Sequence, residues 1–136
     1  MDLDHAREFI RNNHHAILAT ARADGRPQLS PIACGVDAEG RVIVSSRETA
    51  FKVKNLRRAP QASVCVFTDG FYGEWVQVDG HAAVVSMPEA LDGLVDYYRR
   101  VAGELPDWED YRNAMEREGR VLVRIELERV GPKRSG

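Results

Sequence analysis

The stretch Val42-Ile43-Val44-Ser45-Ser46-Arg47-Glu48-Thr49-Ala50-Phe51-Lys52-Val53-Lys54-Asn55-Leu56-Arg57-Arg58-Ala59-Pro60 changes its hydrophobic period midway. Val42, Ile43 and Val44 form an unbroken apolar run that reads as a buried strand, whereas Ala50, Val53 and Leu56 recur at helical spacing. The spacing predicts a helix over 50–58, with Thr49 as its N-cap and Pro60 ending it. A helix start carries unpaired N–H groups and a partial positive charge. Lys52 adds a full charge beside that end, and Ser45 and Ser46 close the strand. The junction is therefore a candidate site for an anion, phosphate above all.

On either side of this stretch the pattern is as regular: residues 4–13 read as an amphipathic helix and 16–21 as a buried strand. Asp24-Gly25 turns the chain into a strand over 28–36, with Pro31 marking an edge or a bulge, and Glu39-Gly40 leads into 41–46. These three strands are expected to form a meander. Beyond the helix, 62–67 is another buried strand, and Asp69-Gly70 turns toward a long strand over 75–85. Alternation there puts Trp75, Gln77 and Asp79 on one face, Val76 and Val78 on the other, with Gly80 placed to supply a bulge. Pro88 opens a helix to about residue 101, Asp107 caps a second through Met115, 121–127 is a final strand, and 131–136 a frayed tail. The expected fold is mainly β: a six-stranded antiparallel split β-barrel with flanking helices, in a single domain over 1–136. Side chains fill so small a barrel, so a ligand must bind outside it, and a groove between two subunits is a natural place.

At 136 residues the chain buries roughly two-thirds of its unfolded surface and needs neither disulfide nor metal for its core. A net charge of -2 argues against a general nucleic-acid binder. Cys34 and Cys65 lie in apolar runs and read as buried free thiols, a bridge between them being the alternative. The first residues are charged, and no apolar run is long enough to span a membrane, so a cytoplasmic protein is expected. His5, His14, His15 and His81 lack ligand spacing, so no metal is expected. No nucleophile–base pair is evident, which leaves the chemistry to a cofactor and the catalytic residues unassigned.

Ala16-Ile17-Leu18-Ala19-Thr20, Asp24-Gly25-Arg26-Pro27-Gln28-Leu29-Ser30-Pro31, Lys52 through Pro60, and Gly73-Glu74-Trp75-Val76-Gln77-Val78-Asp79-Gly80 follow one another along the chain. Each is weak alone, but in this order they resemble the pyridoxamine-phosphate-oxidase-like FMN-binding split barrels. Tyr98-Arg99, Asp107-Trp108 and Asp110-Tyr111-Arg112 resemble the C-terminal helical part of the branch that uses the deazaflavin coenzyme F420. The resemblance implies a homodimer with two cofactor sites at the subunit interface. It also implies an F420-dependent oxidoreductase that moves a hydride from reduced deazaflavin to a small conjugated acceptor. An FMN-dependent oxidoreductase of the same fold and a non-enzymatic flavin or tetrapyrrole binder are the alternatives. By the resemblance Lys52 is the main phosphate cation and Ser45 and Ser46 are donors beside it. Gln28, Ser30 and Ile32 run beside the ring system, where Gln28 and Ser30 share a strand face and offer a pair of hydrogen-bonding groups. Trp75 and Gln77 lie on a strand that approaches the site, Trp75 serving either the interface or the cofactor. Ala50 stands where related proteins often carry a basic residue, and Arg47 or Lys54 is the replacement sought. Arg57 and Arg58 read as the solvated face of the helix.

Overall fold

Strands β1 (His15–Ala21), β2 (Pro27–Ala33), β3 (Gly35–Val36), β4 (Val42–Arg47), β5 (Gln61–Phe67), β6 (Trp75–Val85) and β7 (Arg120–Val130) form one antiparallel sheet in a computed structural model. The structure describes residues 1–70 and 72–132, so residues 133–136 of the expected tail lie outside it. The strand order is β2-β1-β5-β6-β7-β4-β3. The helices are α1 (Leu3–Asn12), α2 (Phe51–Arg58), α3 (Leu91–Ala102) and α4 (Trp108–Arg117). α3 begins at Leu91 rather than Pro88, because the Ala90 and Leu91 N–H groups close turns onto the carbonyls of Ser86 and Pro88.

The sheet has seven strands where six were expected, and the meander does not form. The run 28–36 divides at Cys34. β2 pairs with β1, Leu29 opposite Ala19, whereas β3 turns onto β4, Val36 opposite Val42. The other neighbour of β4 is β7, Val44 opposite Val123. Cys34 N–H still reaches the His14 carbonyl at 2.8 Å. Gly35 then passes beneath α3, where an added Cβ would sit 3.4 Å from Val101 Cγ2. One strand thus serves both margins of the curled sheet by breaking between them.

The sheet curls around one core. Ala16, Leu18, Val64, Val66, Val76, Val78, Val123 and Ile125 face inward, joined by Ala6 and Ile10 of α1 and Leu56 of α2. Each large aliphatic side chain buried there is worth about 1.5–3 kcal/mol. A second cluster of Ile43, Leu122, Leu94 and Met115 seats α3 and α4 on the outer face of β4 and β7. Among the described residues the outer face of β2, β1, β5 and β6 receives no helix in the same way. There Pro31, Ile17, Cys65 and Gln77 align across the four strands, with Leu29, Ala19, Ser63 and Asp79 beside them. Cys34 and Cys65 are both free, Cys34 buried and Cys65 half-buried. Burial pushes the Cys34 thiol up to about 12, so it is an inert core group.

Asp107 caps α4 as expected, accepting from the Asp110 N–H at 3.1 Å. Thr49 does not cap α2; Ala50 takes that position and gives no side-chain bond. The cause is local: Ala50 N–H closes a turn onto the Arg47 carbonyl at 3.1 Å, so the helix starts one residue later. Asp107→Ala should therefore cost about 1 kcal/mol in urea unfolding, and Thr49→Ala should stay within about 0.5 kcal/mol of the parent. An equal cost for both would restore the threonine as a cap.

Candidate functional site

The junction of β4 and α2 is short of hydrogen-bond partners. The Ala50 carbonyl accepts from Val53 and Lys54, at 3.1 and 3.2 Å. Among the described residues the Phe51 and Lys52 N–H groups have no acceptor. An alanine cap leaves these donors open where a serine or aspartate would have engaged one of them.

The charges at this corner are out of balance. Lys52 is half-buried. Burial, and then the nearby Arg120 guanidinium, hold its ammonium below the ordinary lysine range. Arg120 is the cross-strand neighbour of Arg47. Glu118 serves both arginines, accepting from Arg120 Nε at 3.0 Å and from Arg47 Nη2 at 3.4 Å. Among the described residues Lys52 has no carboxylate within ion-pair distance. Glu48 is engaged by Arg57, which also donates to Ser86 Oγ at 2.8 Å. Lys54 is exposed, its Nζ 5.4 Å from the centre of the Phe51 ring. The second charge beside Lys52 is therefore Arg120, which no local sequence signal marks, since β4 and β7 become neighbours only in the folded sheet. Arg58 is less a solvated residue than a tether, donating to the Ala21 carbonyl at 2.6 Å and to Asn55 Oδ1 at 3.1 Å.

A seam runs from this corner between the edge of β2 and β4. Bonds from Cys34 N–H to His14 O and from Arg22 N–H to Arg26 O fix which residues face β1. Residues 28, 30 and 32 share that phase, so the backbone of Leu29, Pro31 and Ala33 points outward. Pro31, with no N–H, suits such an edge, as expected from the sequence. The Tyr97 hydroxyl donates to the Ala33 carbonyl at 2.9 Å, and the Ser45 backbone N–H faces its oxygen. Ser45 is half-buried on this side; Ser46 turns inward, 3% exposed, and donates to the Arg47 carbonyl at 3.3 Å.

The side chains of Gln28, Ser30 and Ile32 lie on the inner face of β2, opposite Thr20, Leu18 and Ala16. Gln28 Nε2 donates to Ser30 Oγ at 3.1 Å. Trp75 and Gln77 lie on the outer face, aligned with Phe67 and Cys65. Gln77 Nε2 donates to Asp79 Oδ1 at 3.1 Å. In one copy of the chain Ser45, Ala50 and Lys52 stand at the β4–α2 junction, Gln28, Ser30 and Ile32 on the inner face of β2, and Trp75 and Gln77 on the outer face of β6.

A broad concavity of about 500 Å³ lies on the outer face, among Ala19, Pro27, Ser63, Asp79, Glu128 and Arg129. It touches none of the expected site residues. Burial would push the Asp79 carboxyl up, but hydrogen bonds from Arg129, Ser63 and Gln77 outweigh it and hold the group below its ordinary value. With Asp79 and Glu128 in its wall, this concavity is less suited to an anion than the Lys52 corner.

The depressed Lys52 value has a consequence for ligands. An anion beside the ammonium raises its pKa, so binding takes up protons. Affinity is full below the pKa of the free protein and is lost as pH rises through the higher pKa of the complex. Because the free value lies below 10.5, the uptake begins at lower pH than for an exposed lysine. Calorimetric titration in buffers of different ionisation enthalpy measures this uptake; a proton release would contradict it.

Fold and corner together define an antiparallel split barrel whose strand-to-helix junction carries open N–H groups beside Lys52 and Arg120. A family model described as pyridoxamine 5'-phosphate oxidase matches residues 3–134, and the chain belongs to that family. Over 128 residues it is 26% identical to the F420H(2)-dependent biliverdin reductase of Mycobacterium tuberculosis (strain CDC 1551 / Oshkosh), spanning 93% of this chain and 85% of that protein. Among solved structures it matches a conserved hypothetical protein from Mycobacterium tuberculosis with a TM-score of 0.75 and 28% identity, over 96% of this chain and 82% of that one. It matches a structure named F420 reductase with a TM-score of 0.70 and 20% identity, over 92% and 94%; at that identity the likeness is one of fold.

Proposed function

We propose that this chain is an F420-dependent oxidoreductase that delivers a hydride to a small conjugated acceptor and works as a homodimer. The observation that carries the reading is the surplus of positive charge at Lys52 and Arg120 beside the open N–H groups of Phe51 and Lys52. Those donors and charges fit a cofactor phosphate. The tail of a deazaflavin continues beyond its phosphate with acidic groups, and Arg47 and Lys54 supply further cations for it. The relationship to an F420H(2)-dependent reductase supports the same choice. FMN, whose phosphate the same corner suits, is the alternative that the family description favours.

When bound, a reduced deazaflavin supplies the hydride, so the chain needs no nucleophile of its own. Its residues hold and orient. Lys52, Arg120 and the helix start would hold the phosphate. The outward backbone of Leu29 and Pro31, with Gln28 and Ser30 behind it, would face the ring edge. Trp75 and Gln77 reach such a site only from a second copy. The outer face of β2, β1, β5 and β6 is where that copy would pack, since it offers Leu29, 62% exposed, with Pro31 and Ile17 beside it and Phe67 and Trp75 further along the same face.

Fluorescence titration with deazaflavin and with FMN, followed by oxidation of the reduced cofactor by a panel of alkenes, quinones and linear tetrapyrroles, tests the activity. Deazaflavin binding at micromolar concentration with acceptor-dependent oxidation is expected. Protein purified yellow with FMN and indifferent to deazaflavin would favour the alternative, and binding without turnover a carrier. For the dimer, Leu29→Asp should weaken association by at least about 2 kcal/mol, since a buried leucine is lost and a charge must be desolvated. Light scattering should show a dimer for the parent and monomer for the variant, with unchanged circular dichroism. A parent that is monomeric at tens of micromolar would contradict the shared site.

A further inference from the structure

The buried polar side chains behind the seam form a directed chain. Arg58 Nη2 donates to Asn55 Oδ1 at 3.1 Å. A guanidinium has donors and no acceptor, so it fixes which end of the Asn55 amide is the oxygen. Asn55 Nδ2 then donates to Thr20 Oγ1 at 3.1 Å and to Gln28 Oε1 at 3.4 Å. Thr20 Oγ1 donates in turn to Gln28 Oε1 at 3.5 Å. With its oxygen held on that side, the Gln28 amide presents Nε2 to Ser30 Oγ at 3.1 Å. Ser30 accepts that bond and retains its own proton, for which no acceptor stands among the described residues. Asn55 and Ser30 are each 7% exposed and Thr20 is 3% exposed, so water competes little for these bonds.

Resting on the reading of the seam as a cofactor groove, we propose that Asn55 is a positioning residue that sets the hydrogen-bond polarity of the groove wall. Through Gln28 it commits Ser30 to donate its hydroxyl proton to an acceptor atom of the bound heterocycle, a carbonyl oxygen or an unprotonated ring nitrogen. A buried amide on the core side of a short helix is otherwise a costly choice where an apolar residue would pack. The direction of the chain, rather than its mere existence, is what the ligand reads. With the Gln28 amide reversed, its contact with Ser30 would still be made and the groove would offer a lone pair instead of a proton.

Asn55→Asp makes that reversal with almost no change of shape. The new carboxylate keeps Arg58 but has no N–H. The Gln28 amide then donates toward the carboxylate and turns its oxygen to Ser30, whose hydroxyl donates a hydrogen bond to it. In titrations with deazaflavin, and with FMN in parallel, Asn55→Asp and Ser30→Ala should each weaken binding about tenfold. Each should also abolish the same shift of the bound ring's absorption band, and the double variant should be no weaker than either single one. A purely structural role predicts instead that the isosteric aspartate binds like the parent, or that the two losses add; either result overturns the proposal. A second measurement needs no ligand. In the free protein the Gln28 Hε2 protons should show nuclear Overhauser contact with Ser30 Hβ, lost in Asn55→Asp. Gln28 amide protons facing Asn55 in the parent would overturn the polarity directly. If the parent binds neither cofactor, the functional reading fails while the magnetic resonance result still decides what Asn55 does.

Discussion

Removing the Lys52 and Arg120 side-chain charges together weakens cofactor binding by at least about 3 kcal/mol, more than a hundredfold. Each charge-assisted contact to a phosphate is worth about 1.5–3 kcal/mol, and the two stand close enough that their effects will not simply add. The single variants Lys52→Ala and Arg120→Ala should each fall in that range. Stability should move differently. Lys52 carries a desolvation cost and a like charge beside it, with no carboxylate among the described residues to offset them. Lys52→Ala is therefore expected to leave the unfolding free energy unchanged or slightly raised. Arg120→Ala removes the nearer partner of Glu118 but leaves Arg47 to it. Parallel binding titrations and urea unfolding separate the two effects. A Kd unchanged in the double variant would remove this corner from the site.

Gly80→Ala should destabilise the fold by about 3 kcal/mol and lower Tm by about 10 °C. Where β6 meets β7 the register slips between Asp79 and Gly80: Asp79 lies opposite Arg129, Gly80 opposite Leu127, so Glu128 is the extra residue. The bulge foreseen at Gly80 thus belongs to β7, and the glycine is what admits it. An added Cβ would lie 2.0 Å from the Glu126 carbonyl oxygen and 3.0 Å from Ile125 Cγ2. Backbone, not a flexible side-chain tip, must give way, and it lies in the centre of the sheet. Gly70→Ala is the control, since its nearest neighbour would be Thr68 Oγ1 at 3.9 Å. Equal Tm values for the two variants would show that β7 can retreat at no cost.

What the sequence discloses here follows the range of the forces involved. The strand over 75–85, its alternation, the Asp107 cap and the end of α2 before Pro60 are set by neighbours in the chain, and they stand where expected. The β2–β3 break was hidden because Ile32 through Val36 is uninterrupted in apolar character. Only the docking of α3 over Gly35 and the pull of two sheet margins divide it. The meander failed for a related reason. Sequential strands usually neighbour one another, but β4 finds β7, and that pairing has no local trace. The same long-range pairing conceals Arg120, although Lys52 and the open helix start were visible as a junction. Thr49 misled because a turn over Arg47 to Ala50 postpones the helix by one residue, and that turn leaves the N–H groups unengaged.

A crystal structure of the protein with bound deazaflavin decides whether the β4–α2 corner holds the cofactor. The phosphate is expected within about 3 Å of Lys52 Nζ and the Arg120 guanidinium, at the first turn of α2. The ring should then lie along the β2 edge beside Ser30, with Trp75 and Gln77 arriving from a second copy. A phosphate lodged elsewhere, with Lys52 and Arg120 left to solvent, would contradict it.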